Sequence, residues 1–337
     1  MSQSVTHPRR KSFLITIDTE GDNLWALPRQ VTTKNSRYLP RFQNLCEKYA
    51  FKPTYLTNWE MVQCPYFRDF ARDVLSRGVG EIGMHLHAWN SPPVVSLTDD
   101  DDTHQPYLIE YPQDQIREKV KVMTGLLEDT FGVKMISHRA GRWAFDTTYA
   151  GALIEHGYLV DCSVTPHVSW AQTKGDPQGA GGTDYTQFPE SAYFLDLEDI
   201  SRPGDSPLLE VPMTVVNFRY PSHARVVRDL LRRSRLGAAV ARRLFPDQAW
   251  LRARGEPPSW LPTVIHAACQ QGLDHVEFTL HSSEFMPGGS PYFLNERSIE
   301  ALYRALEAMF EAATSSFVGR TLSEYHAYHV HSRKTQS

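Results

Sequence analysis

Four short stretches and one isolated acid carry side chains whose types and spacing could do chemistry. They are "TIDTEGD" (16–22), "EIGMHLHAW" (81–89), "HRAGRW" (138–143), Asp161 and "TLHSSEF" (279–285). Asp18 and Glu20 are two residues apart, as are His85 and His87. On extended backbone, residues two apart point to the same side, so each pair can present both groups to one point. Two histidines, one carboxylate and an open position make the usual donor set of a catalytic zinc ion. Such an ion lowers the pKa of water towards ~7. With one of the carboxylates of Asp18 and Glu20 joining His85 and His87 as ligand, the other is left free to act as base. His281 suits protonation of a leaving group near neutral pH. Arg139 would keep the base ionised, since a cation within about 4–6 Å depresses a carboxylate's pKa. Trp25, Trp89 and Trp143 stand beside these residues and could line a substrate site. His138 precedes Arg139, should face away from it, and is expected to be structural. Asp22 is expected to be a solvated turn residue, "TDDDD" (98–102) a solvated loop, and "YHAYHVHSR" (325–333) a solvated tail.

The elements that must position these groups alternate between strand and helix. "SFLITID" (12–18), "KPTYLTN" (52–58), "GEIGMHLH" (80–87), "KMISHRAG" (134–141), "YLVDCSV" (158–164) and "HVEFTLHSS" (275–283) read as strands. Amphipathic stretches at 38–50, 66–78, 112–132, 146–157 and 295–314 read as helices between or after them. That alternation implies a parallel sheet covered by helices. It favours an α/β barrel, complete or partial, over an open sheet. In parallel α/β folds the reactive groups sit at the C-terminal ends of strands, and that is where Asp18, His85, Arg139, Asp161 and His281 fall. The stretch 165–262 breaks the rhythm. It holds a Gly-rich loop (175–184), one strand "PLLEVPMTVV" (207–216) and a basic helical segment (223–245). It is expected to be an insertion within one domain spanning 1–337.

Composition narrows the function classes. The 337 residues are 41% hydrophobic and 11% aromatic, enough for a sizeable core, and the net charge of −4 argues against a nucleic-acid partner. Nine arginines between 225 and 254 face only Asp229 and Asp247. This segment is expected to be a solvated helical face, with peripheral contact to an anionic membrane as the alternative. Four dispersed cysteines form no CxxC pair, which points to free thiols in a reducing compartment. The N-terminal stretch has an apolar run too short for a signal peptide, and no window approaches a membrane span. The expectation is a cytoplasmic protein. No Walker loop or GxSxG elbow occurs at a strand–helix junction.

The ordered set of motifs resembles the polysaccharide deacetylase family with NodB homology, a carbohydrate esterase family, over residues 12–285. The "DTEGD" and "HLHAWNSPP" forms look like a WalW-like branch linked to lipopolysaccharide or exopolysaccharide biosynthesis. The resemblance implies a distorted, NodB-like (β/α) barrel of about seven parallel strands and metal-dependent hydrolysis of an acetyl group on an amino sugar or polysaccharide precursor. It implies zinc, or else nickel, cobalt or manganese. By position, Asp18 would be the base, Glu20 and His85 metal ligands, Arg139 the tether of the base, and His281 the general acid. Two departures stand out. The family's first motif has adjacent aspartates, where this chain has Asp-Thr-Glu. The family's second histidine falls four residues after the first, where this chain has Trp89. Either His87 takes over as ligand or the site is altered. The alternatives are a hydrolase of a formyl group or a non-sugar amide on the same fold, an amidohydrolase-type barrel, and a non-catalytic carbohydrate-binding relative.

Overall fold

A computed structural model describes residues 10–28, 30–175, 179–218, 220–254 and 260–334. Its strands are β1 (Lys11–Thr19), β2 (Pro53–Thr57), β3 (Glu81–Leu86), β4 (Ser137–Ala140), β5 (Val160–Asp161), β6 (Tyr193–Phe194), β7 (Leu209–Glu210), β8 (Val215–Asn217), β9 (Gln248–Trp250), β10 (His275–His281) and β11 (Phe317–Arg320). Its helices are α1 (Leu39–Lys48), α2 (Trp59–Gln63), α3 (Pro65–Arg77), α4 (Asp101–His104), α5 (Gln113–Phe131), α6 (Thr147–Glu155), α7 (Ser222–Leu231), α8 (Arg235–Leu244), α9 (Trp260–Gln270), α10 (Glu296–Thr314) and α11 (Leu322–Lys334).

The strand most central to the fold is β1. From Phe13 to Thr19 no residue is exposed on either face, as expected of a parallel strand covered on both sides. Along one edge it pairs with β10, Ser12 opposite His275 through Asp18 opposite His281. Along the other it pairs first with β11 and then, from Ile15 onwards, with β2. The sheet runs β10-β1-β2-β3-β4-β5-β7-β6. All neighbours in it are parallel except β6 on β7. The run from β10 to β7 is therefore the distorted barrel of about seven parallel strands that the resemblance implies.

Closure comes from irregular chain. After β7, Val211 N donates to Asp161 O (2.8 Å) and Met213 N to Val164 O (2.9 Å). Glu277 N on β10 then donates to Thr214 Oγ1 (2.8 Å). The helices between strands stop where their sequences say. Gly78 (φ 64°) ends α3 and Gly132 (φ 70°) ends α5, the left-handed position that glycine takes without steric cost.

Several expectations are corrected. The strand read at 207–216 is two strands: β7 in the main sheet and β8, which pairs with β9 in a separate ribbon. Pro212 lies between them and has no N–H for a ladder. The segment 165–262 thus adds strands to the main sheet as well as the ribbon. The basic segment 223–245 is two helices, because Ser234 caps a second start by accepting from Gly237 N. The C-terminal stretch is no tail. It forms α11, whose Leu322 and Tyr325 are buried against Leu14 and Leu56 under the sheet. Three residues apart, they share one helix face. Part of the Gly-rich loop (176–178) lies outside the described residues.

Candidate metal centre and its cleft

Parallel strands align their C-terminal ends, and the register here is close. Asp18 on β1 is the register partner of His281 on β10, and His85 on β3 is that of Arg139 on β4. Glu20 and His87 follow directly after β1 and β3. All six side chains meet at one end of the barrel.

Glu20, His85 and His87 are buried and offer one ligand atom each within reach of a common point. His85 Nε2 and His87 Nε2 are 2.9 Å apart. Glu20 Oε2 lies 3.5 Å from the first and 3.3 Å from the second. The centre of that triangle is about 1.9 Å from each corner, close to the ~2.0–2.2 Å of zinc–nitrogen and zinc–oxygen bonds. The donor chemistry fits as well. His85 Nδ1–H donates to Arg139 O (3.0 Å), which fixes the tautomer and leaves Nε2 bare for an ion. His87 Nδ1 is buried without a partner among the described residues, and its ring stacks on Trp89 at 4.6 Å. Burial pulls the His87 pKa down, whereas for His85 the Asp18 and Glu20 carboxylates outweigh burial and raise it.

The close approach of β4 to His87 depends on Gly141. A Cβ there would stand 2.4 Å from the His87 ring and 2.7 Å from Leu86 O. The chain then turns through Arg142 and Trp143 at positive φ (54° and 60°), a backbone state that costs non-glycine residues energy.

Asp18 is held by Arg139, whose Nη1 donates to Asp18 Oδ1 (2.6 Å) and to Thr279 Oγ1 (2.9 Å). Nη2 donates to Thr16 Oγ1 (2.7 Å) and to Glu277, and Nε to Cys162 O (3.1 Å). Burial would raise the Asp18 pKa, but Arg139 with His85 and His281 outweighs it and holds the carboxyl below its usual range. Burial wins at Glu277, whose pKa is raised.

His281 aims Nε2 at both acids, 3.7 Å from Asp18 Oδ2 and 3.8 Å from Glu20 Oε1. Its Nδ1 meets an acceptor, Glu284 Oε2 (3.1 Å), and a donor, Arg252 Nη2 (2.9 Å). The latter two pair with each other at 3.1 Å. The Nδ1 proton follows whichever partner it engages, and in both arrangements Nε2 is the nitrogen presented to the cleft.

These groups line a cleft of about 600 Å³. Its walls are aromatic: Trp25, Trp89 and Trp143, together with Tyr107, Trp170, Trp250 and Tyr292. Trp25 meets the His281 ring edge-on at 4.7 Å. Trp143 is nearly buried, stacked under the Arg139 guanidinium at 4.7 Å. A second carboxyl sits behind the centre. Glu60, in the first turn of α2, accepts from Asn90 Nδ2, and its Oε2 is buried without a partner among the described residues. Burial, with Glu20 nearby, pushes it up to about 7.

The nine residues assigned to the site from the sequence, Asp18, Glu20, Trp25, His85, His87, Trp89, Arg139, Trp143 and His281, fall at this end of the barrel. His138 points elsewhere as expected, between Asp161 (2.6 Å) and the Tyr149 hydroxyl (2.8 Å), so Asp161 is removed from the cleft too. Asp22 is corrected: it is nearly buried and accepts from Thr32, Lys34 and Asn35. The acidic loop is also corrected. Asp101 is buried and accepts from Leu97 and Thr98, and Asp102 pairs with Arg142 at 2.9 Å. Sequence reasoning missed Glu284, Arg252 and the far-wall aromatics. The run from His281 to Glu284, an acid three residues after a strand's last residue, is a capping-box pattern that could have found Glu284. Nothing local marks Arg252.

No family model matches the sequence, and no curated protein does. Solved structures do. A Mycobacterium smegmatis protein described as a "putative polysaccharide deacetylase" aligns over 98% of this chain and 94% of its own, with a TM-score of 0.54 and 16% identity. The 4-alpha-glucanotransferase of Thermococcus litoralis aligns over 95% of this chain and 40% of its own, with a TM-score of 0.53 and 14% identity. A CE4 family pseudoenzyme from Bacillus anthracis aligns over 94% and 66%, with a TM-score of 0.41 and 12% identity. For the first two, at these identities, the similarity is one of fold.

Proposed function

We propose that the chain is a metal-dependent hydrolase that removes an acetyl group from an amino sugar or a polysaccharide precursor, acting as a single cytoplasmic domain. The observation that carries this reading is one cleft wall holding a Glu20–His85–His87 donor set, an arginine-tethered Asp18 and the Nε2 of His281. The similarity of fold to a protein described as a deacetylase is consistent with it.

A divalent ion on Glu20, His85 and His87, zinc foremost, would supply Lewis-acid polarisation and lower the pKa of water. The rest falls to the chain's own groups. Asp18, kept ionised by Arg139, takes the proton of the attacking water. The water oxygen bonds to the acetyl carbon. As the carbon–nitrogen bond breaks, its electron pair goes to the amine nitrogen, which takes a proton from His281 Nε2. Acetate and the free amine result. Trp25 and its aromatic neighbours cover the sugar face and exclude water. An ester-linked acetyl group would leave as an alcohol by the same steps.

The test is release of acetate from N-acetylated amino sugars and their oligomers by zinc-, nickel-, cobalt- or manganese-loaded protein, with N-formyl substrates run in parallel. Acetate release abolished by chelation supports the reading. Formate release alone moves the specificity to a formyl group. No hydrolysis of either by metal-loaded protein rejects it in favour of a binding protein.

A further inference from the structure

The helical pair α7–α8 is built the wrong way round for a solvated face. On α8, Leu236, Val240 and Leu244 recur every four residues and form one stripe. All three are exposed, Leu236 to 79%. On α7, Val226, Val227 and Leu230 are exposed too, Val226 to 68%, and no residue of α7 is buried. An amphipathic helix normally turns its apolar stripe to the core. These two turn theirs outward, and a contiguous exposed apolar surface marks a docking site.

The charge on the same pair says what docks. From 222 to 245 there are seven arginines and one acid, Asp229. Arg228 pairs with Asp229 (3.2 Å) and Asp247 (2.9 Å), and Arg232 with Asp247 (2.6 Å). Arg225, Arg233 and Arg235 are exposed and form no ion pair with a carboxylate among the described residues. Outward apolar side chains interleaved with arginines are the composition of a helix lying in the interface of an anionic bilayer.

We propose that α7–α8 docks this protein on an anionic membrane surface. The pair is joined to the cleft by short chain. Six residue steps, at most about 20 Å when extended, lead from Leu244 to Trp250, which lines the cleft, and Arg252 and Arg254 line it just beyond. Docking therefore holds the cleft close to the bilayer, where a glycan carried on an anionic lipid is presented. This last step, unlike the docking itself, rests on the deacetylase reading.

The experiment is flotation of the full chain with vesicles of phosphatidylcholine alone and of 7:3 phosphatidylcholine:phosphatidylglycerol, at low and rising salt. Binding to the anionic vesicles alone, weakening with salt, is expected. Arg233→Ala/Arg235→Ala should weaken it on the order of 25-fold, about fivefold per arginine. Leu236→Ser/Val240→Ser should abolish it without changing the circular dichroism spectrum. No binding at low salt overturns the proposal. So does a concentration-dependent dimer that the serine variant abolishes, which would make the face a self-association surface. Vesicle binding is read without any turnover, so its failure and the failure of the hydrolase reading are separate results.

Discussion

Asp18 and His281 are register partners on neighbouring parallel strands, and they bring a carboxylate and an imidazole to 3.7 Å with Glu20 beside both. A base and an acid that share a backbone register cannot drift apart without breaking the β1–β10 ladder. In the proposed reaction they act on the two ends of one event, so their losses should not add. Asp18→Asn and His281→Ala should each lower kcat by about 10²–10⁴, and the double variant should be little worse than the poorer single. Steady-state acetate release, with metal content measured on the same samples, checks this. Full activity in Asp18→Asn rules out the assigned base.

Metal binding should be visible as stability. An ion that binds only the folded state at 100 times its Kd adds about 2.7 kcal/mol. Zinc added to chelator-treated protein should raise Tm by several degrees. His85→Ala and His87→Ala should remove the shift. A full shift in His87→Ala would take that residue out of the ligand set and leave Trp89's neighbourhood as an altered site.

Gly141→Ala tests the same point without touching a ligand. The added methyl meets the His87 ring at 2.4 Å and Leu86 O at 2.7 Å, so the ring must move. Metal affinity should fall about 10–100-fold, as it does when a ligand's support is lost. Competition with a chromogenic chelator measures it. Unchanged affinity would mean that His87 is free to shift and is not fixed by the turn.

Glu60 predicts a pH dependence of stability. Its folded pKa of about 7 lies above the ordinary 4.5. Between these values the unfolded chain ionises while the folded one keeps its proton, so stability falls as pH rises from 4.5 to 7. The loss is at most about 3 kcal/mol. In Glu60→Gln it should vanish. Urea unfolding at pH 5 and pH 8 should show the variant gaining on the parent by up to that amount, and a parallel pair of curves would refute it.

How much of this was legible follows from how local each signal is. Asp18 with Glu20 and His85 with His87 declare themselves through spacing on an extended segment, and a titratable residue at a strand's end is a local pattern too. A parallel barrel followed from the alternation, and its count of about seven strands from the resemblance. Arg252 reaches His281 from an irregular stretch after β9, and its partner 29 residues away is chosen by barrel closure. Asp22 looked like an ordinary turn acid because its donors, Thr32, Lys34 and Asn35, lie 10–13 residues ahead. The stretch that holds α7 and α8 reads as a solvated face from its arginines, because composition gives the charge of a face but not where its apolar side chains turn.

The three-way pairing of β1 has a temporal consequence. Thr16 and Glu277, which share the Arg139 guanidinium, are 261 residues apart, and β11 follows later still. At about 5–20 residues per second, the ribosome releases Glu277 some 13–50 s after Thr16. Through that interval β1, buried on both faces in the finished fold, has only β2 of its three partners available. The nascent chain therefore carries an open seam along β1 until β10 emerges, which makes β1 the stretch a chaperone would have to guard.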